Sequence, residues 1–261
     1  MSEPEGRPDG VPELSLVIPC YNEAESIPYA LPALCAAFAR AGRALEIVAV
    51  DNGSQDATGE LLSELARQGL PVRPVRVEHN QGYGFGLLSG IPHARGQWIG
   101  FIPADGQVDA EDVVRLFEAL LPCGPLTLGK VRRRFRMDGL ARKLVSIAYN
   151  ALVWALWPRL GSIDVNGTPK ILHKDVLARM QLESKRWFLD PEILIKARTM
   201  KVRVLELNAF ARMRGRGLSH VRASTCWEFL RELLRYRCTG HLSAWKRGVR
   251  AAAGKTPAHA P

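Results

Sequence analysis

Short apolar runs alternate with amphipathic segments along the first half of the chain. The apolar runs are rich in β-branched residues and predict buried strands at 14–18, 46–50, 72–77 and 98–102. The segments between them carry apolar residues at helical spacing and predict helices at about 26–41, at 57–68, up to about 93, and at 110–121. Strands that alternate with helices predict an α/β fold, a mostly parallel sheet with helices on both faces.

The second half of the chain is less regular and ends in a predicted helical extension. Strands are predicted at 126–128 and 202–207, and helices at 144–157, from 188 to about 200, and at 225–237. As a helix, the uncharged segment 144–157 would span about 21 Å, less than the roughly 30 Å core of a bilayer. It is therefore expected either to pack in the core or to lie in a membrane interface, with Trp154 and Trp157 at headgroup depth.

Composition and charge narrow the class of protein. The 261 residues are 47% hydrophobic and 24% charged, which is typical of a folded soluble protein and excludes a disordered one. Five cysteines without Cys-x-x-Cys spacing favour a reducing, cytoplasmic location over a disulfide framework or a zinc site. Residues 1–128 hold 8 Lys and Arg against 17 Asp and Glu, whereas residues 129–261 hold 28 against 9. The basic half indicates an anionic partner, which could be phosphate groups, a membrane surface or nucleic acid.

Polar loops follow each of the first four predicted strands. Carboxyl ends of parallel strands share one edge of a sheet, which is where open α/β sheets bind nucleotides. In the last of these loops, Asp105 and Gln107 could hold a hard cation that bridges to a diphosphate, although Asp-Gly is also a common turn. The glycines at 82, 84 and 86 do not form a dinucleotide-binding fingerprint, and the chain has no phosphate-binding loop of the NTPase type.

Four motifs in these loops carry a specific resemblance. Val-Ile-Pro-Cys-Tyr-Asn-Glu (17–23), Val-Asp-Asn-Gly-Ser-Gln-Asp (50–56), Asn-Gln-Gly-Tyr-Gly (80–84) and Ala-Asp-Gly-Gln (104–107) resemble family-two glycosyltransferases of the GT-A fold. Within that family the chain is most similar to the dolichyl-phosphate mannose synthase group. The resemblance implies a nucleotide-sugar site and a divalent metal, Mg²⁺ or Mn²⁺, held at Asp105 and Gln107. It assigns nucleotide-sugar contacts to these residues: Pro19, Tyr21, Glu23, Asp51, Asn52, Asn80 and Asp105.

Two residues depart from the family pattern. Asn52 stands where the family usually has a second aspartate, and an aspartate is therefore expected to be tolerated there. Pro103 replaces the first aspartate of the usual Asp-x-Asp-x-Gln metal motif, and it offers neither a charge nor a backbone donor. The metal site is expected to be weak and to depend on bound nucleotide.

The basic half supplies candidates for binding the acceptor. Residues 130–136 hold five cations and are predicted to form an anion-binding acceptor loop that includes Arg132; a solvated surface loop and a nucleic-acid patch are the alternatives. Residues 163–170 resemble the family segment near the transferred sugar, where Lys170 would hold phosphate unless it is a plain surface lysine. Residues 212–219 resemble an arginine- and glycine-rich loop that closes over the diphosphate, which implicates Arg214 and Ser219.

These patterns and the resemblance predict a disordered leader at 1–13, a GT-A domain at 14–220, an amphipathic helical extension at 221–250 and a disordered tail at 251–261. The predicted activity is inverting transfer of a hexose, mannose from GDP-mannose foremost, to a polyprenyl phosphate, with Asp105, Lys170, Arg132 and Arg214 as the catalytic set. An acceptor phosphate is already ionised, so positioning and charge stabilisation suffice.

The predicted partners are a GDP- or UDP-hexose donor, the polyprenyl phosphate and an anionic membrane surface contacted peripherally, on the cytoplasmic face; nucleic acid is not expected. Two other classes stay open. One is a soluble glycosyltransferase with a non-lipid acceptor, for which Asp164 or Asp190 would act as base. The other is a non-catalytic module. The oligomeric state does not follow from the sequence.

Overall fold

A computed structural model describes residues 10–134, 140–210 and 223–253. It contains a seven-stranded sheet in the order β3-β2-β1-β4-β6-β5-β7. The strands are β1 Leu14–Cys20, β2 Leu45–Asn52, β3 Val72–Val77, β4 Trp98–Phe101, β5 Thr127–Arg134, β6 Lys170–His173 and β7 Arg203–Phe210. The helices are α1 Ile27–Arg40, α2 Thr58–Arg67, α3 Tyr83–Gly90, α4 Ala110–Leu120, α5 Leu140–Leu156, α6 Lys174–Met180, α7 Leu189–Thr199, α8 Ala223–Cys238 and α9 His241–Ala253.

Strand direction decides which loops meet at one edge of the sheet. Strands β1 to β4 are parallel to one another, and Cys20 at the end of β1 is level with Asp51 near the end of β2. Strand β6 runs antiparallel to β4 and β5, and its first residue, Lys170, pairs with both Phe101 and Lys130. The ends of β1 to β5, the end of β7 and the start of β6 therefore share one edge.

Helices cover both faces of the sheet, which is why strand β2 is buried along its whole length. On one face, α1 and α4 pack through Phe38 and Phe117, whose rings lie 6.0 Å apart. On the other face, α3 lies directly on the strands, since a Cβ at Gly90 would come within 2.4 Å of the Val17 side chain. Trp157 and the helices α6, α7 and α8 extend this second layer.

The predicted α/β class with helices on both faces is confirmed, and the first-half elements lie within about two residues of their predicted bounds, except that α3 ends at Gly90 instead of about residue 93. Two elements, β6 and α6, were not predicted, and α9 was covered only by the general helical extension predicted at 221–250. The basic run beginning at Lys130 was wrongly predicted to be a loop, because β5 continues through it as far as Arg134. Glu13, the last residue of the predicted leader, is buried and accepts a hydrogen bond from the Ala44 N–H at 3.0 Å. At the other end, α9 reaches Ala253.

Candidate active site

The loops after β1 and β2 are tied to each other at the shared edge. The Asn22 N–H donates to Ser54 Oγ at 3.1 Å, and the Gln55 N–H donates back to Asn22 Oδ1 at 2.9 Å. One residue further on, the Glu23 N–H donates to Thr58 Oγ1 at 2.9 Å. These bonds make the first two motifs a single preorganised unit.

Asp51 is held in a fixed orientation within that unit. The side chain is buried, and its Oδ1 accepts the Ser54 N–H at 2.9 Å. A Cβ at Gly59 would lie 2.7 Å from Asp51 Oδ2, so the first turn of α2 closes against the carboxylate only because residue 59 is glycine. The nearby Asp56 has a pKa below its usual range: burial opposes this, but hydrogen bonds from Thr58 and the Ala24 N–H outweigh it.

Asn52 connects the second motif to the third. Its buried amide Nδ2 donates to Gly82 O at 3.0 Å and to Asn80 Oδ1 at 3.3 Å, and Asn80 Oδ1 also accepts the Gly82 N–H at 2.8 Å. A Cβ at Gly86 would lie 2.9 Å from the Pro19 Cβ, which brings α3 close to the first motif as well. Three motifs thus converge around one buried amide.

The loop after β4 presents Asp105 beside this unit. Ile102 and Ala104 are buried and anchor the loop, whereas Asp105 is partly exposed. Its Oδ1 accepts the Gln107 N–H at 3.1 Å, around a turn in which Gly106 has a φ of 63°. A cavity of about 520 Å³ opens between α1 and this loop, with Asp105 among its lining residues.

The residues of this loop fit a metal ion whose remaining ligands are supplied by a bound diphosphate. Within the described ranges, no group of three or more His, Cys, Asp or Glu side chains surrounds a common metal position. Asp105 contributes one carboxylate and Gln107 one amide, while Pro103 stands where a second carboxylate would be needed. Mg²⁺ is commonly bound through one or two carboxylates together with substrate phosphates. The donor set therefore suits a diphosphate-bridged cation rather than a preformed metal cage.

Two buried lysines lie on the acceptor side of the same edge. Lys170 is fully buried, and its Nζ pairs with Asp190 Oδ1 at 2.5 Å, so the alternative of a plain surface lysine is wrong. Asp190 begins α7 and is itself buried. The ion pair fixes both side chains. Asp190, one of the two candidate bases for a non-lipid acceptor, is therefore already engaged by Lys170.

Lys130 was predicted as part of an exposed anion-binding run, but its side chain is fully buried. Its Nζ donates to Asp164 O at 2.5 Å and pairs with Glu206 Oε1 at 2.8 Å. Burial first, and then the charge of Lys170, lower the pKa of Lys130 to about 8, against the opposing effect of Glu206 and Asp164. Residues 127–131 of β5 are all buried, so the strand has no alternation of buried and exposed positions that could have signalled the burial of Lys130.

Glu206 on β7, together with Lys130, forms a buried anchor, here called the Lys130 anchor. It accepts Ser162 Oγ at 2.8 Å and the Ile163 N–H at 3.2 Å. Burial alone would raise the pKa of Glu206, but the charge of Lys130 and the hydrogen bonds outweigh it and hold that pKa below its usual value. The segment before β6 is thereby fastened to the ends of β5 and β7. Arg132, two residues beyond Lys130, is partly exposed near the same edge.

Some predicted site residues lie outside the described part of the chain. These are Arg214 and Ser219, together with residues 135 and 136 of the basic run. Pro19, Tyr21 and Glu23 are partly exposed at the donor side of the edge, where Ser26 Oγ also donates to Glu23 Oε2 at 3.0 Å.

Helix α5 shows one exposed apolar face. Ile147 and Trp154 are 56% and 40% exposed, and the other exposed residues along that stretch are Ala148, Ala151 and Ala155. Trp157 is instead buried against Tyr236, with ring centroids 6.5 Å apart, so its predicted place at headgroup depth is wrong. Among the helices of the described ranges, none is long and apolar enough to cross a bilayer.

Comparison with known proteins agrees with this architecture. The model of glycosyl transferase family 2 matches residues 15–179, and the chain belongs to that family. Solved structures of glucosyl-3-phosphoglycerate synthase from Mycobacterium tuberculosis share the fold, with a TM-score of 0.66, 19% identity, and coverage of 87% of this chain and 80% of theirs. One of them contains Mn²⁺, UDP-glucose and phosphoglyceric acid. The GT-A fold predicted from the motifs is confirmed.

Curated relatives carry a more specific name. Undecaprenyl-phosphate 4-deoxy-4-formamido-L-arabinose transferase from Klebsiella pneumoniae is 36% identical over 144 residues, which is 55% of this chain and 43% of that protein. The protein of the same name from Pseudomonas aeruginosa is 36% identical over 148 residues, 56% of this chain and 43% of its own length. The chain spans less than half the length of these relatives.

Proposed function

We propose that the protein transfers a sugar from a nucleotide-sugar donor to a polyprenyl phosphate, with inversion at the anomeric carbon. The observation that carries the proposal is the shared edge, where the locked motifs around Asp51 and Asp105 lie beside a strand end that carries Arg132. Family membership supports glycosyl transfer, and the name of the curated relatives supports the acceptor class.

The chemistry asks for positioning more than for acid–base catalysis. A phosphate oxygen of the acceptor forms the new bond to the anomeric carbon while the bond from that carbon to the donor diphosphate breaks. The attacking phosphate is already ionised at neutral pH, so no side chain has to remove a proton. A divalent cation at Asp105 and Gln107 would neutralise charge on the leaving diphosphate when bound. Arg214 would contribute further positive charge beside the diphosphate, and Arg132 would orient the acceptor, whereas the fully buried Lys170 would support the site through its ion pair with Asp190.

The buried pair of Lys170 and Asp190 bears on the acceptor. A non-lipid acceptor with a hydroxyl nucleophile would need a carboxylate base, and Asp190 is committed to Lys170. This favours a phosphate acceptor over the soluble alternative, for which Asp164 stays a candidate base.

The donor base and sugar form a finer part of the proposal. Mannose from GDP-mannose was predicted from the motif resemblance, and it stays a prediction, because the curated relatives are named for a different sugar and the structural neighbours were solved with UDP compounds. A thermal-shift panel of UDP- and GDP-sugars with Mg²⁺ or Mn²⁺ separates the candidates, since a bound ligand raises apparent stability by mass action. The true donor should raise Tm only when metal is present.

The decisive assay is sugar transfer to a short-chain, water-soluble prenyl phosphate, compared between wild-type protein and Asp105→Asn. We expect the variant to lose at least a hundredfold in transfer while keeping its Tm, because Asp105 lies in a partly exposed loop. Asp109→Asn is the matched control: its Oδ1 caps α4 by accepting the Glu111 N–H, a role that asparagine also fills. Equal activity of both variants would contradict the assignment of the metal and diphosphate site.

A further inference from the structure

A second cavity lies away from the shared edge. It has a volume of about 560 Å³, within the usual range for small-ligand pockets. Its residues come from the ends of α6 and α7, from α9, and from Trp157 after α5. Lys201, which lines the cavity, lies two residues before Arg203, the first residue of β7. Because β7 ends at the candidate active site, this corner cavity lies toward the opposite edge.

The corner cavity combines cations with apolar walls. Its cations are Arg179, Arg198, Lys201 and Lys246, and no carboxylate lines it. In the described part of the chain, none of the four makes an ion pair. Helix C-termini attract cations, but the ends of α6 and α7 together supply only about one negative charge. Arg179, Arg198 and Lys201 are exposed and Lys246 is partly exposed, so water and counterions solvate them, but four like charges around one cavity give it a positive potential that favours an anionic ligand.

The apolar walls of the corner cavity are held in place by packing and by a hydrogen bond. Trp245 is 8% exposed, and its indole N–H donates to Arg179 O at 3.4 Å, which joins α9 to α6. Beneath the Trp245 ring, at 5.3 Å from its centroid, lies Lys196, whose charge is already balanced by buried Glu192. Leu242 and Val249 continue the apolar surface.

We propose that the corner cavity binds an anionic glycerophospholipid, with the headgroup phosphate on Arg198 and Lys201 and the acyl chains against the α9 wall. Free phosphate would leave the partly exposed Leu242 and Val249 uncovered, and a neutral lipid would gain nothing from the positive potential of the four cations. A nucleic acid would need exposed aromatic faces for stacking, whereas Trp157 and Trp245 are 5% and 8% exposed. The site is separate from the acceptor phosphate site of the proposed reaction.

The test uses monomeric lipid, so that bulk attraction to a membrane does not enter. Binding of dioctanoyl phosphatidic acid to the full chain, below its critical micelle concentration, is measured by calorimetry and compared with dioctanoyl phosphatidylcholine and inorganic phosphate. We expect Arg198→Gln with Lys201→Gln to weaken phosphatidic acid binding at least tenfold. The matched control is Arg231→Gln with Arg235→Gln, two exposed cations of α8 and the same change in charge, and it should stay within twofold.

The outcomes distinguish this site from the catalytic one. Both double variants should keep their Tm, because the altered side chains are exposed, and Arg198→Gln with Lys201→Gln should keep transfer to a water-soluble prenyl phosphate, because these two residues lie toward the opposite edge of the sheet. Equal weakening in the two double variants would mean that lipid binding reflects net charge only, and would overturn the proposal. Inorganic phosphate binding as tightly as phosphatidic acid, or phosphatidylcholine doing so, would overturn it as well.

Discussion

Asn52 is the residue whose expected behaviour changes most between sequence and structure. Family resemblance predicts that an aspartate is tolerated there. In the structure its Nδ2 is a donor to two acceptors, Gly82 O and Asn80 Oδ1. An aspartate would set a carboxylate oxygen against both, next to the buried Asp51. A buried acceptor left without its donor costs about 1–3 kcal/mol, and more for a charged group.

Asn52→Asp is therefore expected to lower the free energy of unfolding by at least about 2 kcal/mol at neutral pH, and to weaken donor binding. Denaturant unfolding measures the first effect. Asn22→Asp is the control, because Asn22 Oδ1 only accepts, from the Gln55 N–H, and an aspartate keeps that acceptor. If both variants unfold like the wild type, the Asn52 amide does not hold the third motif in place.

At the scale of elements, the alternation of apolar and polar segments predicted the parallel half of the sheet because β1, β2 and β4 are buried on both faces and read as continuous apolar runs. The edge strand β3 instead alternates between more buried and more exposed residues. Strand β6 escaped prediction for a physical reason. It has only four residues, two of them Lys170 and His173, and it owes its place to antiparallel pairing with β4 and β5. Such long-range pairing leaves no local periodicity. The donor motifs were recognisable because each is a short local sequence. The burial of Lys130 could not be predicted, because it depends on the pairing of β5 with β6.

The Lys130 anchor between β5, β7 and the segment before β6 predicts a pH effect. Its pKa is about 8 in the folded protein against an ordinary 10.5. Between these values the unfolded chain holds a proton that the folded chain lacks, so the contribution of Lys130 to stability rises with pH through this window and is lowest below pH 8.

The measurement is denaturant unfolding from pH 7.5 to 10.5. Lys130→Met should remove this rising component, while Lys174→Met, an exposed lysine at the start of α6, should keep the wild-type pH profile. Superimposable profiles for the wild type and Lys130→Met would contradict a lowered pKa of Lys130 in the folded protein.

At the scale of the whole molecule, the acidic and the basic half of the chain contribute to different regions of the structure. The acidic first half builds the donor side of the edge, whereas the basic second half divides its cations among the buried anchor at Lys130, the strand end at Arg132 and the corner cavity. The acceptor loop predicted at 130–136 does not account for the cations of the corner cavity. Cations placed in several regions, together with the apolar face of α5, suit a protein that meets an anionic membrane surface.

That face gives the last prediction. Replacing Ile147 and Trp154 by Ser should weaken binding to vesicles containing anionic lipid at least tenfold, because burying a large apolar side chain is worth up to about 1.5–3 kcal/mol. Leu126→Ser with Leu234→Ser is the control, two leucines 51% and 45% exposed on other surfaces. Residual binding should fall with salt, since surface attraction is screened beyond a Debye length. Donor binding should not change. Equal losses in both double variants would argue against a defined membrane face on α5, and absence of vesicle binding by the wild type would favour the soluble acceptor.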